Sequence, residues 1–188
     1  MKIKAGSFGP LPIIPIVLVG TNVDKKPNYM AVGFAGGINV RPAVVVVSLN
    51  KNHYTPKGII ENRNYSINIP SKDLVVETDY CGLASGNKTD KSTIFTTFYG
   101  ELETAPMIEE CPITAECKFL KSVEFEMDIA YFGEIHQVYV NEDLMVDKKI
   151  DVYKANPILY SAFDSSYRVM GENQGQAWKI GRKYKPKL

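Results

Sequence analysis

Ala43-Val44-Val45-Val46-Val47-Ser48-Leu49-Asn50-Lys51-Asn52-His53-Tyr54-Thr55-Pro56-Lys57 reads, in that order, as a strand, a polar loop and the start of a helix. The run Ala43 to Val47 is apolar and β-branched, which predicts a buried strand delivering Ser48 to the rim of a sheet. Thr55 is a good helix N-cap, and Pro56 fits the first helical position, where its missing N–H costs nothing. The helix expected from Lys57 to Asn62 turns free N–H groups and a positive dipole end toward the loop. Ser48, Lys51, His53, Thr55 and Lys57 add hydroxyls and cations, which makes the loop a candidate anion site. An ordinary capped helix behind a solvated loop uses the same residues, and spacing alone leaves both readings open.

Upstream, apolar runs from Pro15 to Asn22 and from Asn28 to Gly36 flank Val23-Asp24-Lys25-Lys26-Pro27, which has the composition of a hairpin turn. The second run carries Ala31, Gly33, Ala35, Gly36 and Gly37. Glycine weakens a strand, so this density marks a bulge, a barrel corner or the close approach of a ligand to the backbone. Downstream, a strand is expected from Tyr65 to Ile69, then a helix capped by Ser71 and running to Ala84 with Asp73 in its first turn. Ser85-Gly86-Asn87-Lys88-Thr89-Asp90-Lys91 opens a second polar loop, a natural second arm for an anion site.

Between Val123 and Phe132, apolar Val123, Phe125, Met127, Ile129 and Tyr131 alternate with Glu124, Glu126, Asp128 and Ala130, the pattern of one half-buried strand. Gly133 breaks the phase, as a bulge does. Further short strands are expected at Ile158 to Ala162, Ser166 to Met170 and Gln176 to Ile180. Many strands, few helices and no βαβ rhythm predict a mainly β (α+β) chain, an antiparallel barrel decorated by helices.

The 188 residues fit one domain over residues 1–188, and 45% hydrophobic with 23% charged residues is ordinary globular composition. Lys plus Arg is 22 against 21 for Asp plus Glu, so the molecule as a whole offers no field for nucleic acid or anionic lipid. Met1 to Pro10 shows no signal-peptide pattern and no apolar stretch reaches a membrane span, which predicts a cytoplasmic protein. Cys81, Cys111 and Cys117 match no metal or redox spacing and read as small buried hydrophobes. A Cys111–Cys117 disulfide requires an oxidising compartment, for which nothing else argues. Lys179, Arg182, Lys183, Lys185 and Lys187 give the chain a basic tail, read chiefly as solvated, with a nucleic-acid or partner contact as the alternative.

The order of several motifs resembles the flavin reductase-like family of FMN-binding split barrels, which includes flavoredoxins. The resemblance rests on Pro15 to Thr21 with Lys26-Pro27-Asn28-Tyr29-Met30-Ala31, on Arg41-Pro42 leading into Val46-Val47-Ser48, and on His53-Tyr54-Thr55 followed by Ile60-Glu61-Asn62. It continues through Asp79-Tyr80-Cys81-Gly82, Ser85-Gly86 and Asp90-Lys91. It implies an FMN-binding split antiparallel β-barrel of Greek-key type with a few peripheral helices. Met30, Ala31, Val32 and Gly33 would then line the flavin ring. Ser48, Asn50, His53 and Thr55 would hold the ribityl chain and phosphate, and Ser85, Gly86, Lys88 and Lys91 would close the site. Short side chains let a flat ring approach backbone, and a phosphate dianion wants N–H groups, hydroxyls and a cation.

The resemblance further implies an FMN-dependent oxidoreductase taking hydride from NADH or NADPH and passing electrons to free flavin or a redox-protein partner. Its alternatives are a flavoredoxin-like electron carrier and a non-redox binder of another phosphorylated ligand. A homodimer with the flavin near the subunit boundary is also implied. Tyr167 and Trp178 are candidates to cover a flavin, or else core and interface aromatics; His136 is given no role, nor is any catalytic residue or metal ligand expected.

Overall fold

The computed structural model describes residues 1–4 and 13–186. Part of the amino-terminal stretch read for a signal, and Lys187 of the basic tail, lie outside the described residues. β1 (Ile13–Pro15) leads into β2 (Val17–Val23), which forms a hairpin with β3 (Lys26–Val32). Asp24 and Lys25 make the turn at φ of 50° and 65°, the left-handed geometry that a two-residue hairpin needs.

The small-residue stretch is two strands rather than one. β3 ends at Val32, Gly33 and Phe34 turn a corner, and β4 (Ala35–Val40) pairs with β5 (Ala43–Asn50). Of the three explanations for the glycines, the fold shows two: a barrel corner at Gly33-Phe34 and a register shift just after Gly37. α1 (Thr55–Asn62), β6 (Asn64–Ile69) and α2 (Val75–Leu83) follow. The helix expected from Ser71 to Ala84 is split, because Lys72–Leu74 form a 3-10 turn and Ser71 makes no side-chain cap bond.

β7 (Thr97–Phe98) and β8 (Met107–Ile108) form a small ladder ahead of the long pair β9 (Ile113–Glu124) and β10 (Asp128–Val140). The single strand expected from Val123 to Phe132 is the tip of this hairpin. The alternation there is misleading, since Val123, Phe125 and Met127 are 41%, 60% and 68% exposed and face no core of their own chain. Gly133 does sit at a register shift, and a Cβ there would lie 2.5 Å from the Tyr65 hydroxyl. β11 (Met145–Val146), β12 (Lys149–Ile150) and α3 (Val152–Ala155) precede β13 (Leu159–Ser161) and β14 (Ser166–Arg168). Gln176 to Ile180 is not the expected strand; a turn leads there into a 3-10 turn at Ile180–Lys183.

Seven strands form one antiparallel sheet in the order β3-β2-β6-β9-β10-β5-β4, while β1, β13 and β14 make a separate small sheet. The first and last members of the large sheet are consecutive in sequence and joined by Gly33-Phe34. Curling brings them together as a barrel split along one seam. Val19, Val47, Leu49, Tyr65 and Tyr131 fill the interior, and a second cluster with Leu18, Tyr29, Cys81, Phe95 and Ile108 lies under α2.

Glu116 on β9 is fully buried, and its carboxylate accepts from the Glu101 N–H at 3.1 Å, the Leu102 N–H at 2.7 Å and the Tyr139 hydroxyl at 3.0 Å. It pins the loop after β7 to the barrel. All three cysteines are free and buried, and burial pushes the Cys81 thiol up to about 11 and that of Cys117 up to about 12. They stay protonated packing residues near neutral pH.

Candidate functional site

The two polar loops meet beside the free edge of β3. Asn87 Nδ2 donates to the Asn52 carbonyl at 3.5 Å, and Gly86 rests against Asn28 and Tyr54 so closely that a Cβ would lie 2.6 Å from an atom of each. Only glycine fits there. Met30, His53, Thr55, Ser85, Gly86 and Lys91 surround a pocket of about 140 Å³ between the loops. Six of the residues expected at the site are thereby brought together. Gly86 and Lys91 also belong to an adjoining pocket of about 290 Å³, which Lys88 borders.

Lys91 supplies the cation. It is only 4% exposed, and its ammonium donates to the carbonyls of Cys81 at 3.2 Å and Ala84 at 3.0 Å at the end of α2. Among the described residues it has no carboxylate partner. Burial lowers its pKa. A buried ammonium satisfied only by carbonyls retains a strong demand for an anion. His53 is held below its usual pKa first by desolvation and also by the nearby charge of Lys91.

Several expected roles change. Thr55 is the first residue of α1 rather than its cap; Tyr54 occupies the cap position without a side-chain bond. The Thr55 hydroxyl instead accepts from Asn28 Nδ2 at 3.0 Å, and both residues are buried. Lys57 and Lys51 do not serve the pocket. Lys57 pairs with Asp24 at 2.6 Å and Lys51 with Glu124 at 2.5 Å. Asp24 also accepts from the Tyr54 hydroxyl at 2.7 Å and is held below the usual carboxylate range, chiefly by Lys57. Ser48 and Asn50 lie outside these pocket walls. The Ser48 N–H donates to the Phe34 carbonyl at the barrel corner, and Asn50 Oδ1 accepts from the Asn52 N–H to shape the loop. The Val32 side chain belongs to the barrel core.

Ala31 and Gly33 face a different cavity, of about 360 Å³, between the barrel corner, α2 and the small sheet. Its walls are mostly aliphatic and aromatic, with Ile14, Phe34, Tyr160 and Tyr167 prominent and Asp79 the one ionisable carboxylate among them. The Tyr160 and Tyr167 rings are 5.9 Å apart and tilted by 56°. Tyr167 donates to Asp79 on α2 at 2.7 Å, and burial, reinforced by that carboxylate, pushes its hydroxyl up to about 12. Gly82 borders both this cavity and the Lys91 pocket. A Cβ on Gly82 would sit 3.5 Å from the Ala31 methyl, in ordinary contact, so two small residues face each other where α2 packs on β3. Trp178 is 92% exposed and covers nothing. His136 pairs with Glu101 at 2.7 Å, away from these cavities.

Asn28, Asp79 and Gly82 were not expected as site residues. All three lie within motifs that carry the resemblance, and the small pair Ala31 and Gly82 was the available signal.

Residues 13–165 match the model of the flavin reductase like domain. The chain belongs to that family. Membership places it among flavin-handling redox proteins. It is similar to the flavoredoxin of Methanosarcina acetivorans, at 42% identity and a TM-score of 0.94, covering 97% of this chain and 98% of that one. The flavoredoxin of Desulfovibrio vulgaris (Miyazaki F) is 34% identical with a TM-score of 0.90, covering 96% of this chain and 100% of its own. An FMN-binding protein from Thermus thermophilus shares the split-barrel fold at 20% identity and a TM-score of 0.79, over 93% of this chain and 99% of that one. No helix among the described residues is long and apolar enough to cross a membrane.

Proposed function

We propose that the whole chain acts as one FMN-binding domain of an oxidoreductase, receiving electrons on bound FMN and passing them to free flavin or a redox partner. The observation that carries this reading is the pair of neighbouring cavities that share Gly82 as a wall, one cationic and polar, the other mostly aromatic and aliphatic. FMN has the same polarity along its length, an anionic phosphate joined by a polyol to a flat ring. Its phosphate fits beside Lys91, His53, Thr55 and Ser85, and its ring fits the cavity walled by Ala31, Gly33 and Phe34. Lys88 stands at the mouth of the phosphate end. Ser48 and Asn50 act indirectly, through the corner and loop they shape.

Bound FMN supplies a two-electron redox centre, which the protein's own side chains lack. The chain's residues bind, orient and shield it. NADH or NADPH is the proposed hydride donor. The similarity to two flavoredoxins favours a second reading, an electron carrier that never meets a nicotinamide.

A homodimer fits the sheet's outer face. Val47 and Leu49 point into the core, so the alternating Val46 points outward, half-buried and opposite half-buried Phe132 of β10. A strand apolar on both faces belongs between two layers, and a second copy supplies the missing one. Exposed Phe34, Ile38 and Val40 extend the apolar surface toward the aromatic cavity, which puts the ring near the subunit boundary.

An anaerobic absorption spectrum of the FMN-loaded protein, before and after NADH and NADPH, tests the reading. Bleaching by either nucleotide supports the nicotinamide-linked oxidoreductase. Bleaching by dithionite alone supports the carrier, and failure to bind FMN refutes both and leaves a non-redox phosphate-ligand protein.

A further inference from the structure

We propose that Asp79, held by Tyr167, sets the reduction potential of the flavin ring by placing a negative charge in the ring's cavity. The proposal rests on the FMN reading of that cavity. Asp79 Oδ1 accepts from the Tyr167 hydroxyl at 2.7 Å. Among the described residues no hydrogen bond reaches its Oδ2, which leaves an acceptor for an N–H donor such as the flavin imide. The other walls, Ile14, Ile16, Ala31, Gly33, Phe34, Gly82 and two tyrosine rings, carry no charge, so little else in the cavity offsets the carboxylate.

Reduced flavin sheds a proton near neutral pH and becomes anionic, whereas the oxidised ring is neutral. A fixed carboxylate in an apolar cavity therefore disfavours the reduced form and lowers the potential. Tyr167 tempers the effect by donating one hydrogen bond to the same carboxylate. The two residues act in opposite directions, and a purely structural role for the pair would not produce that.

The test is spectroelectrochemical measurement of the FMN midpoint potential in the native protein and in the Asp79→Asn and Tyr167→Phe variants. Flavin affinity and thermal unfolding are recorded alongside. Asp79→Asn is expected to shift the potential to a more positive value and Tyr167→Phe to a more negative one. If FMN binds but the Asp79→Asn potential matches the native value, or both variants shift it the same way, the proposal is overturned while the FMN reading stands. If Asp79→Asn does not fold, the Tyr167→Phe variant decides: a more negative potential supports the proposal, and an unchanged or more positive one overturns it. A protein that binds no FMN overturns both readings together.

Discussion

Asn28 Nδ2 donates to Thr55 Oγ1 across 3.0 Å, fastening the open edge of β3 to the first turn of α1 where both side chains are buried. Thr55→Val removes the acceptor and strands the amide. FMN affinity is expected to fall by about 1–2 kcal/mol, read by flavin-fluorescence titration. Unchanged affinity would remove Thr55 from the phosphate site.

Lys91→Met deletes the cation of the proposed phosphate pocket, and FMN affinity should fall by roughly 1.5–3 kcal/mol, the scale of a hydrogen bond to a charged group. The native pH profile carries a second signature. Burial lowers the Lys91 pKa in the free protein, and a bound phosphate raises it again. Affinity is therefore full below the free-state pKa and is lost as pH rises through it, earlier than for an ordinary lysine. The Lys91→Met variant should lack this alkaline limb.

Gly86→Ala forces a methyl against Asn28 and Tyr54, at 2.6 Å from an atom of each. The loop must move away, carrying Ser85 with it. Loss of FMN affinity by about tenfold, or about 1.4 kcal/mol, is expected with little change in the thermal midpoint. A variant that binds FMN normally would show that the loop closes the site without touching the ligand.

Glu116→Ala leaves two backbone N–H groups and the Tyr139 hydroxyl without their acceptor. Urea unfolding should show a loss of roughly 2–4 kcal/mol, within the range for stranding several buried polar groups. A loss under 1 kcal/mol would mean that solvent takes over those donors.

Val46→Glu places a charge on the outward face of β5, opposite Phe132. If the proposed dimer forms, sedimentation should show it replaced by monomer in this variant. A native protein that is already monomeric at micromolar concentration would refute the two-layer reading of that strand.

Local chemistry made the hairpin at Asp24-Lys25, the strand feeding Ser48 and the register break at Gly133 legible in the sequence. Composition and strand count gave the barrel. What misled was periodicity read without partners: Val123, Phe125 and Met127 alternate as a core strand does, yet they cap a hairpin whose apolar tip the monomer leaves uncovered. In the site, Lys91 and Gly86 were legible because a cation and a glycine in a polar loop are conspicuous. Lys51 and Lys57 looked equally suited to an anion, and only folding shows that Glu124 and Asp24 already hold them. Asp79 gave no local signal, since its partner Tyr167 is 88 residues away in the chain.

The seam between β3 and β4 carries no ladder of its own, although two residues join the strands that border it. The proposed FMN site lies on the β3 side of it, beside Met30, Ala31 and Gly33, so a molecule held there covers the free edge of β3. Outward amide protons of β3 should therefore exchange fastest among the strands of the large sheet in the ligand-free protein, and slow most when FMN is added. Filling the proposed site would thus protect the one edge of β3 that no neighbouring strand covers.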